Sequence, residues 1–319
     1  VSYTIRMVSL LARLPGGEWT LPNFNVLWLL VFYGLLFVFT LLPREQRVDL
    51  GRHIFSHQAG LLILSGLVIF VWNRALSLPD NNLHLTLLDS EGTILLQTPG
   101  ENAVLIGGGP SPSNLNQSLG EMLPVGQRGL DVVIVGSAAR DDLNGLLGAM
   151  QKYPPDMVLW GVDAYANQTT GRVHKLATDI DAAISPLQAG QRLDLGQGSV
   201  IHILWVGERG ALLWLEWENF SALLPTGKVD DQWLEVPQVP DVLLIKDGSS
   251  TQELPLWKIN LWAPTMILLP LEEADLPLYG EHPLLTLLDG YPLVTTLEHN
   301  WIRISTDGER LWVRGKKVK

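Results

Sequence analysis

The chain contains no cysteine, which excludes disulfide bridges and thiolate metal sites alike. Charge is scarce as well: 17% of its 319 residues are Asp, Glu, Lys or Arg, against 47% that are hydrophobic. The mean hydropathy is positive, at +0.18, and so apolar a composition predicts that part of the chain sits in a membrane. The sequence begins at Val1 without a basic start, a short apolar core and a small-residue cleavage site, so it carries no secretory-signal pattern. It reads as the C-terminal part of a longer protein. It also lacks any repeat of fixed period and any low-complexity tract.

Positive charge is missing where a nucleic-acid partner would need it. The first 78 residues hold six arginines against Glu18, Glu45 and Asp49, whereas residues 79–319 hold 16 Lys and Arg against 30 Asp and Glu. An acidic region of that size repels a phosphate backbone, because nucleic-acid affinity draws on cation contacts and counterion release. Any DNA contact would have to come from a local patch.

Long apolar runs are present at the N-terminal end. Phe24 to Leu42 is an uncharged stretch of 19 residues closed by Pro43. As a helix it would extend roughly 28 Å, close to the hydrocarbon thickness of a bilayer. A second run spans 54–72, with His57 and Gln58 near its start; a buried soluble helix is the alternative. Arg44, Arg47 and Arg52 between the two runs place that connection in the cytoplasm and residues after Arg74 outside.

From Leu83 onward the pattern becomes short apolar strands separated by turn signals at Glu91-Gly92 and Pro99-Gly100, which predicts an antiparallel meander. A helix is expected near 116–122. Asp131 to Leu147 then reads as buried strand, sharp turn and helix, and in an α/β protein the carboxyl end of such a strand is where chemistry is usually placed. A second set of strands is expected at 191–195, 199–206, 211–217, 220–224, 242–245 and 266–269, with a helix near 254–262 and a closing hairpin at Asp307-Gly308. Two β-rich halves with helices predict two sheets packed face to face with helices outside.

This order of segments resembles the ComEC family of competence DNA-uptake channels. The resemblance is carried by the two apolar runs, then L-T-L-L-D-S-E-G-T-I-L-L-Q-T-P-G-E-N-A-V-L-I-G-G-G-P, then L-D-V-V-I-V-G-S-A-A-R-D-D-L-N-G-L-L. It implies a membrane region over 1–78, the end of the competence helical domain with spans at about 24–42 and 54–72. It also implies an αββα metallo-β-lactamase-like sandwich over 79–319. The Leu14-Pro15-Gly16-Gly17 segment resembles the end of the competence region.

The family's metal-binding signature, T-H-x-D-A-D-H-x-G-G, is altered in this chain. Its first His falls on Ser137, the next ligand on Ala139, the Asp on Asp141 and the last His on Asp142. Its L-I-D-G-G places Gly107 where the Asp stands, and its D-V-G-Q-G-D reads Asp89-Ser90-Glu91-Gly92-Thr93. Its L-L-T-G-D ends in Lys228, and its H-H-G-S reads Lys246-Asp247-Gly248-Ser249. An ammonium group has no lone pair for a metal and repels one beside it. The resemblance with these losses implies a non-catalytic domain, no bound cofactor, and an ancestral divalent metal site that has been lost.

The other candidates carry blander readings alongside. His53 and His57 stand at i, i+4 spacing and could hold a metal, or be interfacial polar residues at a helix end. Asp141-Asp142 could serve acid–base work or Mg²⁺, or cap the helix that follows them. Gly107 to Gly109 could cradle a phosphate, but no G-K-[ST] follows, so a tight turn is expected. The tryptophans at 205, 214, 217, 257 and 262 could stack bases or pack in cores and at sheet edges.

The expected function is a component of a DNA-uptake channel in the inner cell membrane, multi-pass, with its folded domain outside. By resemblance, single-stranded DNA and other uptake proteins would be its partners. The alternatives are a metal-dependent nuclease or phosphodiesterase working through Asp141, Asp142 and Asp247, and a membrane-anchored interaction module unrelated to DNA.

Overall fold

Runs such as Ala103-Val104-Leu105-Ile106 are apolar at every position because successive side chains of a strand point to opposite faces, and here both faces are covered. The computed structural model describes residues 81–124, 127–229, 236, 238–246, 256–272 and 283–317. The predicted spans at 24–42 and 54–72, His53, His57 and Asp247 lie outside the described residues. Among the described residues no helix is long and apolar enough to cross a membrane.

Two sheets form the centre. The first has eight strands: β1 (Leu83–Leu87), β2 (Ile94–Gln97), β3 (Ala103–Ile106), β4 (Leu130–Val135), β5 (Pro155–Trp160), β6 (Ala183–Pro186), β14 (His299–Thr306) and β15 (Leu311–Lys317), in the order β15-β14-β1-β2-β3-β4-β5-β6. The second has seven: β7 (Arg192–Asp194), β8 (Val200–Val206), β9 (Gly210–Trp217), β10 (Phe220–Gly227), β11 (Val242–Leu244), β12 (Met266–Leu269) and β13 (Leu293–Thr295), in the order β13-β12-β11-β10-β9-β8-β7. Each sheet is antiparallel over one half and parallel over the other: β3 to β6 run parallel in the first, β10 to β13 in the second.

The core divides into three layers that follow the strand alternation. Leu85, Ile94, Val104 and Ile134 from the first sheet meet Leu213, Ala222, Leu224 and Leu244 from the second. Their sequence neighbours Leu95, Leu105 and Val133 face the other way, onto helices α1 (Pro112–Met122), α2 (Arg140–Leu143), α3 (Leu146–Lys152) and α4 (Gln168–Asp179). Leu223, Leu243 and Ile267 likewise face α5 (Leu256–Trp262) and α6 (Pro283–Leu287). Three buried layers between four layers of structure make an αββα sandwich, as expected.

Helix α1 begins earlier than the apolar spacing suggests, because Ser111 accepts from the Asn114 amide and Pro112 stands in the first turn. Trp214, Trp217 and Trp262 are buried as expected, but Trp257 is 63% exposed. Helix α5 turns Ile259 and Trp262 inward, which leaves the Trp257 side of a short helix to solvent.

Helix α4 has a full capping box. The Asn167 side-chain oxygen accepts from the amides of Thr169 and Thr170 at 2.9 and 3.0 Å, and the Asn167 amide donates to the Thr170 hydroxyl at 3.0 Å. The Asn167 side-chain amide also donates to the Ala138 carbonyl at 2.7 Å, which ties this helix to the loop leaving β4. Asn167→Ala removes the cap and the tie together, with an expected loss of about 1–2 kcal/mol in urea unfolding.

Candidate functional site

Strands β3 and β4 lead directly into Gly107 and Gly136, β10 ends at Gly227, and β11 leads through Ile245 to Lys246. The carboxyl ends of the parallel strands of both sheets therefore converge. There Gly107, Ser137, Asp142, Thr226 and Lys246 line a cavity of about 10 Å³, scarcely room for one water.

One ion pair dominates it. The Lys246 Nζ donates to Asp142 Oδ1 at 2.5 Å, and the two residues are only 9% and 8% exposed. The lysine stem is accommodated because position 92 has no side chain: a Cβ there would lie 3.0 Å from Lys246 Cε. Buried charges persist in proteins when paired, and this pair closes the strand-end site.

The turn from Asp89 to Thr93 covers the same charge. Asp89 Oδ1 accepts from the amides of Glu91 and Thr93 at 3.1 and 2.9 Å. Burial pushes the Asp89 carboxyl above its usual range, opposed by the hydrogen bonds from Thr93 and the charge of Lys246. Glu91 is raised to about 7, chiefly by desolvation; Lys246 works against the shift, and Asp142, Asp89 and Asp141 add to it.

An acid whose folded pKa lies above its unfolded value binds more protons in the folded state between the two. Its favourable contribution is therefore lost as pH rises from about 4.5 to about 7. A full shift of this size would be worth roughly 3 kcal/mol; because Glu91 is half-buried, about 1 kcal/mol is expected after solvent screening. Glu91→Gln should raise the thermal midpoint at pH 8 and leave it little changed at pH 4, as read by circular dichroism.

The structure brings four of the eight sequence-predicted positions together: Gly107, Ser137, Asp142 and Lys246. Ala139, Asp141 and Lys228 are exposed and stand apart from the cavity. The helix expected after β4 is broken at Asn144-Gly145 into α2 and α3, and neither Asp caps it. Ala139 occupies the cap position of α2, while the Ser137 hydroxyl accepts from the Ala139 amide at 3.1 Å. Asp142 is buried with its carboxylate on Lys246, which is incompatible with capping.

Sequence reasoning missed Thr226. Its buried hydroxyl accepts from the Ala211 amide at 3.1 Å and bounds the cavity from the second sheet. Nothing in the local Leu223-Leu224-Pro225-Thr226-Gly227 sequence singles it out.

A divalent metal of the kind the resemblance implies does not fit these residues. No histidine is present in the cavity lining, the buried carboxylate already holds an ammonium, and that ammonium has no lone pair. Among the described residues no group of three or more His, Asp or Glu side chains is placed to hold a metal ion.

No protein-family model matches the chain, and no curated protein matches its sequence. Among solved structures, it is similar to the metallo-β-lactamase fold protein YhfI from Bacillus subtilis, at 16% identity and TM-score 0.48, covering 67% of this chain and 95% of that one. It is also similar to a diphosphatase of the PhnP family at 12% identity and TM-score 0.41, covering 70% of this chain and 98% of that one. Zn²⁺-bound PqqB from Methylobacterium extorquens follows at 14% identity and TM-score 0.37, covering 49% and 56%. All three TM-scores lie below 0.5, and at these identities no activity passes from them to this chain. The layer assignment rests on the sheet order and the three buried layers of this chain itself.

Proposed function

We propose that this chain is a membrane-bound component of a DNA-uptake channel of the ComEC type, whose metallo-β-lactamase-like domain, residues 79–319, is non-catalytic. The observation that carries the non-catalytic reading is the buried Lys246–Asp142 pair at the converging strand ends, with almost no free volume around it. Metal-assisted hydrolysis needs an open coordination position for water or substrate. This site offers one carboxylate already bound to an ammonium, and scarcely any space. The uptake role itself rests on the segment order and motifs of the resemblance.

The protein purified with added Mn²⁺ or Zn²⁺ is expected to retain only substoichiometric metal by elemental analysis, and to leave single-stranded DNA uncut. Stoichiometric metal together with cleavage abolished by Asp141→Ala would establish the hydrolase instead. Deleting the gene from its native host should depress uptake of labelled DNA. Unchanged uptake would leave a membrane-anchored interaction module as the surviving reading.

A further inference from the structure

Strand β15 ends its sheet: among the described residues its only neighbour is β14. Its other edge therefore presents a row of unpaired amides and carbonyls over seven residues, Leu311–Lys317. Trp312 and Val313 are 43% and 42% exposed, and Arg314, Gly315 and Lys316 are exposed as well. An edge of this length is open to any strand whose side chains suit it.

The charge of this hairpin is the reverse of the rest of the domain. Residues 303–319 hold six Lys and Arg against Asp307 and Glu309, while residues 79–302 hold ten against 28 Asp and Glu. Ile302 and Ile304 of β14 point into the core between the sheets. The register sets Trp312 opposite Ser305, Arg314 opposite Arg303 and Lys316 opposite Trp301. Strand alternation therefore places Trp312, Arg314 and Lys316 together on the outer face. Leu311 and Val313, opposite Thr306 and Ile304, share the inner one.

What is unmatched is a guanidinium. Arg303 donates to the Thr86 hydroxyl at 3.1 Å and to the Gln97 side-chain oxygen at 2.9 Å, and Lys316 is held by Glu121 at 2.8 Å. The ion pairs among the described residues leave Arg314 without a carboxylate. Its nearest cross-strand neighbour is another arginine, and like charges directly opposite destabilise an antiparallel pair. An acid on the open side of β15 would relieve that repulsion.

We propose that β15 is a docking edge for an extended acidic peptide segment of a partner protein, which adds to the eight-stranded sheet as a further strand. The peptide backbone supplies the missing row of hydrogen bonds. Its acidic side chains, on the outer face, meet Arg314 and Lys316, and its apolar ones, on the inner face, meet Leu311 and Val313. A second copy of β15 is a poor occupant, because antiparallel self-pairing centred on Arg314 would set that cation against its own copy. A nucleic acid offers no backbone amides to the edge, and its length carries phosphates over the acidic remainder of the domain. This surface goes beyond the uptake reading and does not depend on it.

The test is fluorescence anisotropy on the detergent-purified full chain with labelled heptapeptides in which Val and Glu alternate, or Val and Lys. A third probe is the Val-Glu peptide N-methylated at every backbone amide, which keeps its charge and cannot donate to a strand. The Val-Glu peptide should saturate at about 100 μM or tighter, and the other two should bind at least roughly tenfold more weakly. Arg314→Glu should weaken the Val-Glu peptide roughly tenfold and admit the Val-Lys peptide. Arg314→Gln serves if the reversed variant does not fold, and should weaken the Val-Glu peptide as well. The proposal is overturned if that peptide does not saturate, if N-methylation leaves its affinity unchanged, or if the folded variants bind it as tightly as the parent. It is also overturned if a single-stranded oligonucleotide or phosphatidylglycerol vesicles bind more tightly than the peptide with the same dependence on Arg314, which would give the surface to nucleic acid or to lipid.

Discussion

Lys246→Met should lower unfolding stability by about 3–5 kcal/mol, the usual cost of leaving one member of a buried ion pair without its partner. Asp142 is the member left behind, 8% exposed and beside a cavity too small to admit a solvating shell. The double variant Lys246→Met/Asp142→Leu should regain most of that loss or exceed the parent, because two desolvated charges cost about as much as their attraction returns. Urea unfolding of the parent, the two single variants and the double variant completes the cycle. A single variant that loses less than about 1 kcal/mol would show that water reaches the pair, and the closed-site account would fail.

The second large effect is expected at Gly136→Ala, where the two sheets touch directly. A Cβ there would collide with the Thr226 hydroxyl and lie 3.0 Å from Thr226 Cβ and 3.2 Å from Ala211 Cβ. The Thr226 hydroxyl cannot swing aside freely, since it accepts from the Ala211 amide. Overpacking of this kind costs about 1–3 kcal/mol, and the upper end is expected because backbone from both sheets must shift. Adding Thr226→Ala removes the collision with the hydroxyl but gives up its hydrogen bond, so it should recover only part of the loss in the same unfolding measurement.

Much of this fold was legible because short apolar runs bounded by turn residues mark the strands. Leu83, Leu85 and Leu87 with Thr86 between them, and the full apolar run from Val132 to Val135, located β1 and β4 within a residue or two. The strands β6 and β13 escaped notice: Ala-Ile-Ser-Pro and Leu-Val-Thr are three or four residues long and not fully buried, too short to show a period. Helix α4 escaped as well, its sequence G-R-V-H-K-L-A-T-D carrying only a few apolar residues.

The altered ligand positions could be read one by one against the family signature. Their pairing could not, because Asp142 and Lys246 are 104 residues apart and nothing in either local sequence names the other. Base stacking and packing were both open for Trp257, because which side of a seven-residue helix faces the sheet is decided by tertiary contact.

The position of β1 in its sheet sets a condition on how the domain can be made. It is the first described strand in the sequence, yet it lies between β2 and β14, and His84 contacts Ser305 across 221 residues of chain. During synthesis one edge of β1, with its row of unpaired amides and carbonyls, stays open until residues 299–306 have been made. A chain stopped before His299 would therefore leave β1 as a permanent open edge of the first sheet, and it would associate through that edge. The last two strands act as the closing step of folding for a sheet begun more than two hundred residues earlier.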